Sequence, residues 1–171
     1  MLVPAEAAQL PFPASVEAGG VTLVRKTEHH ITVFGFDIGK VLAAAIGKAP
    51  GLRGAIAELV ANADFSWSLP EAPVMWRLHR DKPKDLQTVV VLVDAPGIAA
   101  FFGECARVLP EVAGGVALPD LDPPPPHVTL YTSDAAGKDG IGLRRPGDIA
   151  AARERGAAGE TTGLRAFAFA V

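Results

Sequence analysis

Two short segments of the chain repeat one pattern of residue types. The first is His30-Ile31-Thr32 and the second is His127-Val128-Thr129. In a β-strand alternate side chains point to opposite faces, so each histidine shares a face with the threonine two positions later. If the two strands are neighbours, two imidazoles and two hydroxyls face one space. Two imidazoles suit acid–base chemistry on a phosphate ester, because one takes a proton from the attacking oxygen and the other protonates the leaving oxygen.

A simpler interpretation of the repeated pattern is that both segments are ordinary strands. Threonine favours strands in any case, and a half-buried histidine is common in them. The chain has only four histidines, however, and two of them open the same pattern. This repetition favours a shared catalytic site, with His30 and His127 as acid and base and with Thr32 and Thr129 beside them.

The residues next to the two motifs are candidates for contacts with a substrate. The same alternation predicts that Phe34 and Tyr131 continue the face that carries the histidines, where an aromatic ring could stack on a base or touch the phosphate. Arg25, or alternatively Lys26, lies just before the first motif and could supply positive charge. We therefore expect Tyr131, Phe34 and Arg25 to bind the substrate.

Length and composition narrow the class of protein. A chain of 171 residues that is 49% apolar can bury a core as a single domain, 1–171. The net charge of −3 does not give the basic footprint of a general nucleic-acid binder. One cysteine indicates a reducing compartment, and no segment reads as a signal peptide or a membrane span. We expect a cytoplasmic protein without membrane contact; the sequence does not predict its oligomeric state.

The order of predicted elements indicates the fold class. Residues 1–20 are rich in alanine, proline and glycine and predict an irregular lead-in. Helical periodicity follows the first motif, and a β-branched run over 88–93 predicts a buried central strand before another helix. The four prolines of 123–126 predict a stiff, extended entry to the second motif. This mixture of hairpins and crossovers is typical of an α+β fold.

Two loops have no assigned role in this prediction. The segment 133–142 contains glycine, aspartate and lysine without the spacing of a phosphate-binding loop, and we expect it at the edge of a cleft. The segment 77–84 is a basic hairpin tip that could steer a polyanion toward the cleft, although a solvated loop is the more ordinary outcome.

The paired motifs resemble those of the 2H phosphoesterase superfamily, which includes the 2′-5′ RNA ligase-like cyclic phosphodiesterases. The resemblance rests on His30-Ile31-Thr32 and His127-Val128-Thr129, with support from the proline-rich entry to the second motif and from the element order after residue 28. It implies a two-lobed, pseudo-symmetric sandwich of antiparallel sheets with flanking helices and a central cleft. It also implies a phosphodiesterase that needs no metal or other cofactor and acts on a 2′,3′-cyclic phosphate or a related nucleotide or RNA-end phosphoester.

Two other functions remain open at this point. A metal-dependent hydrolase could use His30, His127 and a carboxylate such as Asp134, although the chain has no histidine pair at the usual ligand spacing. A non-catalytic module could bind nucleotides or RNA ends in the same cleft. The sequence does not distinguish hydrolysis from ligation, and it does not say which histidine is the acid.

Overall fold

The structure is a computed structural model that describes residues 1–4, 12–158 and 163–169. This part of the chain forms eight strands and four helices. In chain order they are β1 (Leu2–Pro4), β2 (Ser15–Ala18), β3 (Val21–Arg25), β4 (His30–Thr32), α1 (Phe36–Lys48), α2 (Gly51–Asn62), β5 (Met75–Arg80), β6 (Leu86–Leu92), α3 (Pro96–Ala113), β7 (His127–Thr132), α4 (Asp148–Ala157) and β8 (Leu164–Phe169).

The strands form a single sheet in which all pairings are antiparallel. The main order is β1-β4-β7-β6-β5-β8, and β3 pairs with both β7 and β2 beside this path. The predicted α+β class with an antiparallel sheet is therefore confirmed. The two strands that carry the repeated motifs, β4 and β7, are neighbours in this sheet.

Each face of the sheet packs a separate set of apolar side chains. On one face Val89, Val91 and Val128 lie in a large core with residues of α1, α2 and α3. On the other face Val90 packs in a smaller cluster with Ala152 of α4. The alternation along β6, which is buried on both sides, explains why its sequence is a continuous apolar run. The smaller cluster leaves part of its face open beside β4 and β7.

The expectation of an irregular lead-in over residues 1–20 is wrong for Leu2–Pro4 and Ser15–Ala18, which form β1 and β2. β1 pairs with β4, with Val3 opposite Ile31, and β2 pairs with β3. Residues 5–11 of the predicted lead-in lie outside the described residues. Short strands of this kind have too few residues for a periodic pattern, and here their pairing with a distant strand determines the conformation.

None of the described helices combines the length and the apolar character that a membrane crossing requires.

Candidate active site

The two His-x-Thr motifs lie side by side on one face of the sheet. Ile31 pairs with Val128, and both of these side chains are buried in the large core. The antiparallel register then places His30 beside Thr129, and places Thr32 beside His127. Diagonal neighbours across such a pair are about 7–8 Å apart, which is within reach of two imidazoles.

A pocket of about 240 Å³ opens in front of these four side chains. It is lined by Lys26, Glu28, His30, Thr32, His127, Thr129, Lys138, Gly140 and Gly142. Thus the structure brings all four predicted catalytic residues to one small polar cavity. That volume fits a phosphate group and its immediate substituents rather than a whole nucleotide.

His127 is buried and its tautomer is fixed by the backbone. Its Nδ1 lies 2.7 Å from the carbonyl oxygen of Pro125, and the backbone N–H of Leu143 donates to its Nε2 at 3.1 Å. Since a carbonyl can only accept, Nδ1 carries the proton and Nε2 holds the lone pair. Burial is the main cause that lowers the pKa of His127, and the nearby charge of His30 lowers it further. The hydrogen bond to Pro125 raises it, but by less. His127 is therefore a neutral imidazole whose lone pair is on the atom that Leu143 contacts.

His30 differs from His127 in its exposure. It is half-buried at the edge of the pocket. Burial lowers the pKa of His30, and the charge of Lys26 lowers it further, while Glu28 raises it. The two histidines are thus not equivalent, although their motifs are. One is locked inside the sheet, and the other meets solvent and can exchange protons with it.

The two threonines complete the pocket floor. Thr32 and Thr129 are both half-buried, and neither hydroxyl makes a hydrogen bond to another group in the described part of the chain. A threonine hydroxyl can donate one hydrogen bond and accept others. Both hydroxyls are therefore available to a ligand in the pocket.

The 133–142 loop supplies the pocket's outer wall, at the cleft edge where the sequence predicts it. The Asp134 carboxylate accepts hydrogen bonds from the backbone N–H groups of Lys138 and Asp139 at 3.0 and 3.1 Å, and these bonds lower the pKa of Asp134. Gly137 adopts a φ of 67°, the left-handed region that glycine tolerates best. This folded turn presents Lys138 to the pocket.

The backbone of Gly142 lies close to the ring of His127. A Cβ atom on Gly142 would lie 3.2 Å from Nε2 of His127. Sequence reasoning missed Gly140, Gly142 and Lys138 as site residues. The available signal was the pair of glycines two residues apart, which can mark close approach of the backbone to a ligand or side chain.

The prediction that Tyr131 faces the pocket is wrong. In the ladder between β6 and β7, Val90 pairs with Thr129 but Val89 pairs with Tyr131, so Leu130 is an extra residue. Such a bulge shifts the alternation by one position. It turns Tyr131 into the large core, where its hydroxyl donates to the carbonyl oxygen of Pro13 at 2.9 Å.

Phe34 is also wrongly predicted as a pocket residue. β4 ends at Thr32, and the chain bends before α1, so the strand alternation does not extend to Phe34. Its ring packs in the core against Phe101 and Phe102, with centroid distances of 5.4 and 5.5 Å. It supports the site from behind and cannot touch a substrate there.

The prediction that Arg25 lies at the pocket is wrong, and the alternative residue, Lys26, lines it instead. Arg25 pairs with Tyr131 across β3 and β7, so both side chains lie on the face opposite the histidines. Its Nη1 donates to the carbonyl oxygen of Phe12 at 2.9 Å. Lys26, one residue later, faces the pocket and donates from Nζ to the carbonyl oxygen of Lys138.

In the metal-site alternative, Asp134 is not in position to join His30 and His127 as a ligand. Asp134 holds the 133–142 loop and pairs with Lys84 at 3.6 Å, and it does not line the pocket. Among the described residues, the one group of three potential ligands that converge is His79, Asp81 and Asp85. That group lies in the β5–β6 hairpin and does not line the pocket. The basic segment 77–84, which the sequence offered as a steering surface, likewise contributes no residue to the pocket.

The buried neutral histidine predicts that acid destabilises the fold. An unfolded chain protonates His127 near the ordinary histidine pKa of 6.5, whereas burial lowers the pKa in the folded state. The contribution of neutral His127 to the free energy of unfolding is therefore fully present above pH 6.5, and it is lost as the pH falls toward the pKa of the folded state. In this window we expect the protonation of His127 to lower the free energy of unfolding by up to about 1.4 kcal/mol for each pH unit.

Urea unfolding at pH 7.5 and pH 5.5 measures this effect. In His127→Asn the side-chain amide can keep the bond to Pro125 without titrating, so the difference between the two pH values will shrink. An unchanged pH dependence in His127→Asn would contradict the assignment of a neutral His127.

The chain was compared with protein-family models, with curated proteins and with solved structures, and no match was found in any of the three comparisons.

Proposed function

We propose that the protein is a phosphodiesterase that opens a 2′,3′-cyclic phosphate, or a related nucleotide or RNA-end phosphoester, by two-histidine acid–base catalysis without a metal ion. One observation carries the proposal. The β4–β7 pairing places His30, Thr32, His127 and Thr129 around one pocket of about 240 Å³. The two lysines that line the same pocket add positive charge for an anion.

The different environments of the histidines favour different roles. His127 is a neutral imidazole with its lone pair on Nε2, the form that a general base requires. It takes a proton from water as the water oxygen bonds to phosphorus. His30, which meets solvent, enters protonated and donates its proton to the ribose oxygen as the phosphorus–oxygen bond breaks. The product is a phosphate monoester beside a free hydroxyl, and each histidine is left in the other's starting form.

The remaining pocket residues stabilise charge on the phosphate. Thr32 and Thr129 have hydroxyls available to donate to the two non-bridging oxygens, on which negative charge increases in the transition state. Lys26 and Lys138 add electrostatic attraction to the same oxygens. The direct test is incubation with nucleoside 2′,3′-cyclic phosphates in the presence of EDTA, followed by phosphorus NMR of the product.

The proposal includes the finer fold expected from the resemblance to 2H phosphoesterases. In that arrangement β4 would be the central strand of one lobe and β7 that of the other, and the two lobes would be pseudo-symmetric. Each lobe would contribute one His-x-Thr motif to the cleft between the lobes. The support is the diagonal arrangement of the two motifs about the Ile31–Val128 pair, since a local twofold axis there relates each histidine to the other.

The lowered pKa values of both histidines predict an acidic pH optimum. Catalysis needs His30 protonated, and burial and Lys26 lower its pKa from 6.5, so activity falls as the pH rises through that lowered pKa. His127 stays neutral to lower pH because its pKa is lowered too. The profile of kcat/KM against pH will therefore peak below 6.5.

The variant Lys26→Gln tests the cause of this profile. Removing the Lys26 charge raises the pKa of His30, so the alkaline limb will move to higher pH even as the maximum rate falls. A wild-type profile that rises between pH 6.5 and 8 would exclude His30 as the acid.

A non-catalytic phosphate-binding module is the second candidate. The observation that favours it is the Leu143 N–H bond to Nε2, which occupies the lone pair that a base needs. Turnover requires this bond to open, whereas binding does not. Saturable binding of a cyclic nucleotide with no product formed would support the module.

A further inference from the structure

A larger groove continues from the histidine pocket. Its volume is about 700 Å³, and Thr32 and Gly142 line both cavities, so the two spaces adjoin at these residues. Its walls come from the start of α1, from residues 119–124 and from residues 142–148. A nucleotide whose phosphate lies at the histidines would not fit in the pocket of about 240 Å³ alone. The rest of the nucleotide would extend into this groove.

The groove contains an aromatic ring that no core contact explains. Phe36 is 81% exposed although it is a large apolar residue, and it occupies the first position of α1. Val41, on the same helix, is 41% exposed in the same groove. An exposed ring beside a phosphate pocket is suited to stacking on a base, because every base has a π-face.

The charges of the groove are opposite to those of the pocket. The pocket has two lysines and one glutamate, a net charge of +1, whereas the groove has four aspartates and two arginines, a net charge of −2. Asp37 pairs with Arg144 at 2.7 Å, and Asp148 accepts from the backbone N–H groups of Arg144 and Arg145.

Two aspartates of the groove remain uncompensated. Asp120 and Asp122 are exposed and form no ion pair with any described residue. The backbone N–H of Asp122 donates to Oδ1 of Asp120 at 3.3 Å, which leaves the other carboxylate oxygens free to accept. Their carboxylates can accept hydrogen bonds from ribose hydroxyls and base amines, but they repel a phosphate.

We infer that this groove binds the nucleoside part of the substrate, with its base on Phe36, and that Asp120 and Asp122 discriminate against a substrate that carries a second phosphate. The inference rests on the proposed function for the position of the first phosphate. It narrows the substrate class to a mononucleotide with one phosphate, and it disfavours the continuing backbone of an RNA chain.

A matched pair of ligands tests this inference. Adenosine 2′,3′-cyclic phosphate and the same compound with a 5′-phosphate differ by one charged group. We expect the wild type to prefer the first by about tenfold in kcat/KM, the size of effect that nearby like charges produce at a protein surface. The double variant Asp120→Asn, Asp122→Asn keeps the shape of the groove and will reduce this preference to about twofold. The variant Glu111→Gln, on the exposed side of α3, will leave it unchanged.

The stacking contact has its own readout. Phe36→Ala will raise KM for both ligands by about tenfold, the loss expected for one base stack, with little change in kcat. A preference unchanged in the double variant, or an unchanged KM in Phe36→Ala, would overturn the inference.

The inference can fail separately from the proposed function. If the wild type converts neither ligand, the ratio of the two dissociation constants, measured by NMR titration, replaces the ratio of kcat/KM in the same variants. A tenfold ratio that the double variant reduces to about twofold would then support the inferred role of the groove, even though the phosphodiesterase proposal would be wrong. Equal dissociation constants, or no binding of either ligand, would overturn the inference itself.

Discussion

Replacing His30 by alanine will lower kcat for a nucleoside 2′,3′-cyclic phosphate by about 10²–10⁴-fold, because one acid–base group typically contributes that much. His30 is half-buried at the pocket edge and no backbone group depends on its ring in the described structure, so the fold will survive the change. His127→Asn will cause a loss of similar size. The asparagine amide can keep the bond to Pro125, whereas alanine would leave that carbonyl and the Leu143 N–H without partners.

His29→Ala is the matched control for these two variants. His29 is the chain neighbour of His30, but it does not line the pocket. We expect its activity to stay within about twofold of the wild type. Initial rates in EDTA, with circular dichroism to verify folding, measure all three variants. Activity that survives in both His30→Ala and His127→Asn would remove the two-histidine mechanism.

Gly97→Ala will lower the free energy of unfolding by about 3 kcal/mol, the upper part of the range for overpacking. Gly97 is the second residue of α3, and a Cβ atom there would lie 1.8 Å from the carbonyl oxygen of Asp64. That oxygen belongs to the backbone after α2, so the contact cannot be relieved by rotating a side chain. The helix and the α2–β5 connection would have to separate.

Gly103→Ala is the matched control in the same helix. Gly103 is exposed, and an added Cβ there meets no atom within 4 Å. Alanine has the higher helix propensity, so this variant will gain up to about 1 kcal/mol. Chemical denaturation of the two variants beside the wild type checks both signs. Equal stability of Gly97→Ala and Gly103→Ala would show that α3 does not start where the structure places it.

The sequence predicts the centre of the site because a strand's alternation is a local property. Once His30-Ile31-Thr32 and His127-Val128-Thr129 are strands, the aliphatic residue in each determines which face is buried, and the polar pair must occupy the other. That the two strands are neighbours does not follow from alternation. It is inferred from the repetition of the motif, which favours a shared site. The four candidate catalytic residues therefore follow from pattern alone.

The same alternation fails beyond the motifs because it depends on how each strand ends. The extra residue Leu130 in β7 reverses the direction of Tyr131, and the end of β4 at Thr32 releases Phe34 into the core. This bulge is defined by the pairing of β7 with β6, and β7 has no glycine that would mark it in the sequence. Lys138 reaches the pocket through a folded turn held by Asp134, which periodicity does not describe either.

The different environments of the two histidines are likewise a tertiary effect. Identical motifs suggest interchangeable rings, but the Pro125 carbonyl and the Leu143 N–H fix His127 as a buried neutral imidazole. Pro125 is close in sequence, and its bond follows from the proline-rich entry to β7. Leu143 comes from a loop that only the fold brings to the ring, so the role of each histidine could not be assigned from the motif.

Nitrogen-15 NMR of the imidazole rings during titration with inorganic phosphate tests the central claim most directly. The account predicts that the ring signals of His30 and His127 shift together and give one dissociation constant, while those of His29 and His79 do not move. Shifts confined to one of the two rings, or two different dissociation constants, would contradict a single anion site between them.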